Sequence, residues 1–132
     1  GDGRKCAVAF EQMDSFKCAQ VVERGTPEVM VLVVERMKST KAADMLKHCL
    51  LNKAGAVMSL MAPEKCGSMI DLMEAEWTAG VLDGVSANQV AAALERVTDK
   101  EVAACVMEAM QPAVATKILE AMEEKSVTKF LM

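Results

Sequence analysis

The sequence predicts an all-α chain: a superhelix of about ten or eleven short helices built from a twelve-residue repeat. Three observations predict it. A pair of apolar residues recurs every twelve positions, from Ala9-Phe10 and Val21-Val22 to Ile118-Leu119 and Phe130-Leu131. The apolar places within each unit fall at i, i+1, i+3, i+4 and i+7, which is one face of an α-helix and not the alternation of a strand. Pro27, Pro63 and Pro112 stand at the same early place of their units, where proline suits a first helical turn and is excluded from a helix interior. A fixed period of this kind is the signature of an array.

The units can be read in order by two small residues, the apolar pair and one closing residue. The first is Cys6-Ala7, Ala9-Phe10 and Met13; the second is Cys18-Ala19, Val21-Val22 and Gly25. The third opens at Pro27 with Met30-Val31, Val33-Val34 and Met37. Its run from Val29 to Val34 has high β propensity, yet its columns match the helical template, so helix is expected there too. The fourth and fifth are Ala42-Ala43, Met45-Leu46, Cys49, then Ala54-Gly55, Val57-Met58, Met61. Pro63 opens the sixth, with Cys66-Gly67, Met69-Ile70 and Met73. Thr78-Ala79, Val81-Leu82 and Val85 form the seventh, and Val90-Ala91, Ala93-Leu94 and Val97 the eighth. One step, between Leu94 and Met107, is thirteen residues, which predicts a longer corner near Thr98 before Ala103-Ala104, Val106-Met107 and Met110. Pro112 opens the tenth, with Ala115-Thr116, Ile118-Leu119 and Met122. The last unit is Val127-Thr128 and Phe130-Leu131.

One continuous helix is excluded, because twelve residues at 3.6 per turn rotate the apolar face by about a third of a turn per unit. Ser15, Ser39, Ser86 and Thr98 lie at unit boundaries, where a hydroxyl can cap free backbone N–H groups. Helices of about eight or nine residues are below the length at which isolated helices persist, ~12–15 residues. They depend on neighbours, and the small column is expected to let adjacent helices approach closely.

Composition bounds the function. The 132 residues suit one domain with a continuous core, taken as 4–132, with Gly1 to Gly3 set aside as an appended remnant or disordered end. Hydrophobic residues are 52% but aromatics only 3%, so the core is aliphatic and sulfur-rich, with 12 Met as adaptable filler. No stretch reaches the ~20 apolar residues of a membrane span, and no cleavable signal is visible; direct membrane insertion is not expected. A net charge of −4 disfavours nucleic acid, whose binding rests on Lys and Arg neutralising phosphates, and the scarcity of aromatics removes stacking platforms. The five cysteines contain no C-x-x-C pair. Cys6, Cys18 and Cys66 share one apolar column, and Cys49 and Cys105 also fall on apolar places, so all read as buried small hydrophobes in a reducing, cytoplasmic compartment.

Candidate chemistry is sparse. His48 and Cys49 are adjacent, and neighbours on a helix point about 100° apart, so they form no dyad. Zinc-type ligand spacing, a phosphate loop and a nucleophile elbow are all missing from the sequence. No enzymatic activity, metal or cofactor is expected. One polar column is regular: Glu11, Glu23, Glu35, Lys47, Ser59, Asp71, Asp83, Glu95, Glu108 and Glu120 follow the apolar pair. This acidic strip reads as the solvated face of each helix, or else as a docking strip for a basic partner or a weak Mg²⁺ surface.

Two segments carry a resemblance. Glu108 to Met122, EAMQPAVATKILEAM, is similar to the "L-E-x-M-x-P-E-x-A-A-x-I-L-E-x-M" run of a superhelical repeat, and Leu60 to Met73, LMAPEKCGSMIDLM, looks like a second copy. That repeat resembles the cytoplasmic N domain of MgtE-type magnesium transporters, with similar short-helix arrays in the flagellar rotor protein FliG and the motor-associated MotE proteins. The resemblance runs from about Cys6 to the end and implies a fold, since the motif is a packing motif. The Pro-Glu and Ala-Ala signature is blurred in many units here, and no site residue carries over.

The expected function is a non-enzymatic helical scaffold, mediating protein–protein interaction or assembly within a larger protein. The alternative is a regulatory Mg²⁺-sensing domain of a transporter-like protein. The expected partner is another protein, a neighbouring domain of the parent chain, or a second copy. An array has open ends, and the final unit stops on its interior pair. Phe130, Leu131 and Met132, with Glu108 and Glu120 from the acidic strip, are therefore the predicted partner-binding residues.

Overall fold

A computed structural model describes the backbone of residues 3–131 and the side chains of residues 3–124. Ten helices follow one another among the described residues: α1 (Arg4–Gln12), α2 (Ser15–Arg24), α3 (Pro27–Arg36), α4 (Ser39–Leu46), α5 (Leu51–Ser59), α6 (Pro63–Ile70), α7 (Ala75–Leu82), α8 (Ala87–Glu95), α9 (Lys100–Ala109) and α10 (Pro112–Leu131). The expected all-α architecture is present, and the Val-rich run lies within α3. Pro27, Pro63 and Pro112 each open a helix. The extra residue of the thirteen-residue step sits in the corner, where Thr98 and Asp99 separate Val97 from α9.

Each helix packs mainly on the helix two places further along, from α1 on α3 through to α8 on α10. The burial of the apolar pair shows how. Its first member is exposed in α1 and α2 (Ala9, Val21) and buried from Val33 onward; its second is buried from Phe10 to Leu94 and opens up at Met107 and Leu119. The first member therefore packs backward and the second forward, and each loses its cover where no further helix stands among the described residues. Small residues set the spacing. A Cβ added to Gly67 in α6 would lie 2.7 Å from Arg96 Cβ and 2.9 Å from the Ala93 carbonyl oxygen, so α6 reaches the end of α8 only because that side chain is missing.

Three expectations are corrected. Ala104 belongs to the small column but is exposed, since no helix lies two places beyond α9 among the described residues. Cys6 and Cys105 are exposed rather than buried. Cys6 stands in α1, with no helix before it among the described residues, and Cys105 lies between the apolar places of α9, on its outer face. The final unit is not a separate helix. The segment Met122-Glu123-Glu124-Lys125 holds no proline or glycine and is made of strong helix formers, and α10 runs through the expected corner for 20 residues.

Ala91→Leu is expected to cost ~1–3 kcal/mol by overpacking, whereas Ala104→Leu should stay within ~0.5 kcal/mol of wild type, as exposed substitutions do. Urea unfolding of the two variants checks the contrast; equal losses would show that the small column has no forward partner.

The thiols give a second test. Burial pushes Cys66 up to about 12 and Cys49 to about 12, with Glu23 adding to the rise at Cys49, and it raises Cys18 as well. The thiolate is the reactive form, so native labelling should be fast at Cys6 and Cys105 and slow at Cys18, Cys49 and Cys66, with all five reacting in denaturant. A buried thiol stays protonated at a pH where the unfolded chain has ionised. Stability is then full below the ordinary value of 9.0 and falls as the pH climbs toward about 12. Denaturation midpoints that do not drop between neutral and strongly alkaline pH would contradict this.

Candidate functional site

Ten helix starts and ten helix ends leave many backbone groups without intrahelical partners, and the residues at the starts do little for them. Asp14, Ser86 and Asp99 cap α2, α8 and α9 with their own side chains. Lys38, Leu50 and Ala62, at the starts of α4, α5 and α6, make no such bond. Of the expected hydroxyl caps only Ser86 serves as one; Ser15 and Ser39 fall one place inside their helices, and Asp99 takes the place expected of Thr98.

The missing caps arrive from three helices away. The Lys38 N–H donates to Glu11 Oε1 (2.7 Å), the Leu50 N–H to Glu23 Oε2 (2.5 Å) and the Ala62 N–H to Glu35 Oε2 (2.8 Å). At the wider corner before α9, both Asp71 oxygens are used, by the N–H groups of Thr98 (3.0 Å) and Asp99 (3.2 Å). Desolvation alone would raise the Asp71 carboxyl, but these donors hold it below its ordinary range. A return bond runs the other way. Lys41 Nζ donates to the Met13 carbonyl (2.6 Å), Lys53 Nζ to that of Gly25 (2.9 Å) and Lys65 Nζ to that of Met37. Gln89 does the same for Met61 at 2.7 Å. Partial burial draws the Lys65 ammonium below its ordinary range, against the pull of Glu11 and Glu35. Each bond sets a charge or dipole of the right sign at a helix end.

These reciprocal clamps join α1 to α4, α2 to α5 and α3 to α6. One half survives between α5 and α8, where Ser59 occupies the acidic place and Gln89 the donor place. The other half survives between α6 and α9, where Asp71 faces a helix with Val102 in the donor place. The acidic column is thus neither a plain solvated face nor an unoccupied strip: four of its carboxylates are internal caps.

Between α4 and α7 both halves are replaced. Lys47 stands in the acidic place and Trp77 in the donor place. A groove of ≈ 670 Å³ opens there, lined by Thr40, Ala43, Asp44, Lys47, His48, Leu72, Met73, Glu74 and Trp77. The corresponding groove at the closed α3–α6 clamp is ≈ 470 Å³ and contains Glu35 and Lys65. Lys47 turns back on its own helix to pair with Asp44 at 2.8 Å; hydrogen bonds from Lys47 and then Ser15 lower the Asp44 carboxyl. His48 is exposed, its ring edge-on to Phe16 with centroids 5.6 Å apart. Cys49 is buried with its thiol directed at the Ala19 carbonyl (3.9 Å), so His48 and Cys49 do not face one another. In a chain with so few aromatics, Trp77 and the one His line a single groove, and Phe16 packs edge-on against that His.

The predicted partner residues lie elsewhere. Glu108 and Glu120 are exposed on α9 and α10, and Glu120 borders a second groove of ≈ 830 Å³ with Leu119, Lys117 and the start of α8 at Ser86 and Ala87. The side chains of Phe130 and Leu131, and the whole of Met132, lie outside the described residues. Among the described residues no three His, Cys, Asp or Glu side chains converge as for a metal ion, and no helix is long and apolar enough to cross a membrane. The break in the acidic column at Lys47 is visible in the sequence. The donor column was not recognised there, because a column of Lys41, Lys53, Lys65 and Gln89 interrupted by Val29 and Trp77 does not stand out among surface residues.

No protein-family model and no curated protein matches the sequence. A solved structure does match in fold. The chain is similar to part of the crystal structure of the cytosolic domain of the Mg²⁺ channel MgtE in complex with ATP. The TM-score is 0.66 at 18% identity, over 88% of this chain and 47% of that one. The chain thus spans about half of the MgtE cytosolic structure, and at this identity the likeness is one of fold. The expected resemblance to MgtE-type domains is thus supported as a likeness of fold, while the flagellar proteins gain no support.

Replacing Glu23 by Ala should cost ~0.5–2 kcal/mol, the range for losing a helix cap, and Lys53→Ala should add little beyond it if the two act as one clamp. A double-mutant cycle by urea unfolding reads the coupling; full additivity would mean that the two ends are held independently.

Proposed function

We propose that this chain is a non-enzymatic helical scaffold that docks a protein partner, with the α4–α7 groove as its recognition surface. The observation that supports the reading is the local exchange of a structural clamp for an aromatic-walled opening. Clamps of the same geometry close the array on one side at α1–α4, α2–α5 and α3–α6. At α4–α7 the array forgoes both bonds and lines a groove with half-buried Trp77 and exposed Leu72 and His48 instead. Binding energy concentrates on such partly desolvated aromatic anchors ringed by polar groups, and the rigid helices around this groove hold it open before a partner arrives. The free thiols suit a reducing compartment.

A second reading, regulatory cation sensing, draws on the likeness to the MgtE cytosolic structure. Against it, Glu11, Glu23, Glu35 and Asp71 already accept backbone N–H groups, and a cation would compete with the helix starts for the same oxygens.

A photo-crosslinker at His48, in the protein as expressed in its own cell, should capture a defined partner. Trp77→Ala should weaken that partner's binding by ~2 kcal/mol, about 30-fold in Kd, and because the half-buried indole also packs on the core the comparison is made at a temperature where far-UV circular dichroism shows both proteins folded. Melting with and without MgCl₂ separates the two readings, because a ligand specific for the folded state raises the midpoint. An unchanged midpoint is expected; a clear rise with Mg²⁺, or capture that survives Trp77→Ala, would overturn the scaffold assignment.

A further inference from the structure

We infer that the α4–α7 groove takes a lysine side chain of the partner protein, presented on a segment of net positive charge. This rests on the groove being the recognition surface and names the chemistry it selects. The array itself holds the template. At three junctions a part-buried lysine from the later helix sets its ammonium on the carbonyl that closes the helix three places back: Lys41 on Met13, Lys53 on Gly25 and Lys65 on Met37. Twelve residues on, the carbonyl in that place belongs to Cys49 and the residue in the donor place is Trp77. Among the described residues the Cys49 carbonyl accepts no hydrogen bond. This junction therefore keeps the acceptor and replaces the internal lysine by an indole.

Charge points the same way. The groove is lined by two carboxylates, Asp44 and Glu74, against one ammonium, Lys47. Lys47 and Asp44 satisfy one another at 2.8 Å. That leaves Glu74, exposed at the start of α7 and without an ion pair among the described residues, as the free charge three residues from the indole. A partner lysine meets each of these features. Its methylene stem suits the apolar wall of Leu72, Met73 and Trp77. Its ammonium gains from the aromatic ring and from Glu74, and supplies the donor that this junction lacks. An acidic segment is the rival, because the Glu74 N–H is without the carboxylate that Glu35 gives to Ala62. Such a segment would approach past Asp44 and Glu74, and like charges placed together exclude wrong partners.

Selection of a displayed random-peptide library against the folded protein tests the inference. Trp77 is the single tryptophan of the chain, so its fluorescence reports whether each enriched peptide, made synthetically, reaches the groove. Enriched peptides should carry a lysine at a fixed place and a net positive charge. Acetylating that lysine should weaken binding about tenfold, the combined loss of a cation–aromatic contact and a surface ion pair. Glu74→Lys should weaken it about as much, and Glu74→Gln less. Glu28→Lys, an exposed change on α3 outside the groove, should leave it unchanged and so separates the groove from the general acidity of the protein. Circular dichroism checks that all three variants keep the wild-type helical content. Peptides that move Trp77 fluorescence but are acidic or uncharged, or whose binding ignores acetylation or Glu74→Lys, would overturn the lysine assignment while leaving the groove as a docking surface. A library from which no peptide moves Trp77 fluorescence would sink the groove reading and the lysine assignment together.

Discussion

The structure depends on satisfying the ends of helices too short to persist alone. A helix of eight to ten residues leaves nearly as many backbone groups unpaired at its termini as it pairs inside, so in an array of such helices the ends are a large part of the energetics. This chain resolves the difficulty by pairing ends with ends. A carboxylate at the close of one helix accepts an N–H at the start of the third helix on, and a lysine near that start returns a bond to the carbonyl at the first helix's close. The N–H bond resembles the returning half of a capping box, supplied across space instead of along the chain. It frees the start positions to be Lys38, Leu50 or Ala62, none of which is a good cap.

Packing and clamping have different ranges along the chain. Apolar contacts join each helix to the one two places on, through the paired column and the close approach that Gly67 allows. The polar bonds join helices three places apart. Most interior helices, though not α7, are therefore tied to neighbours at two spacings, which fixes the pitch of the array in a way neither set would alone. The apolar set runs out at the ends of the described residues, where Val21 and Leu119 lose their cover.

Function is best sought where this regularity is given up. A column kept by packing or capping has a structural explanation at each of its positions, and Lys47 and Trp77 depart from two such columns at the same junction. The cost is a clamp, about one to two modest hydrogen bonds. The result is an opening with an indole wall and a histidine rim on an otherwise aliphatic molecule. The similarity in fold to the MgtE cytosolic structure leaves that opening unexplained, because it rests on the repeat and not on these two residues.

The sequence by itself determined the all-α class, the register of the units, the helix-opening prolines and the site of the longer corner, because period and proline geometry are local properties of the chain. It also identified most of the core, since a residue's place within a unit decides whether it can face a neighbour at all. Tertiary structure decided what depends on which neighbour is there. Cys6 and Ala104 occupy core columns yet lie open, because burial of a column requires a helix on its own side. The expected corner after Met122 is absent, and helix propensity carries α10 onward. The acidic column looked like a solvated face because its partners, the N–H groups of Lys38, Leu50, Ala62 and Asp99, lie 27 or 28 residues away. Only folding brings two such points within hydrogen-bonding distance.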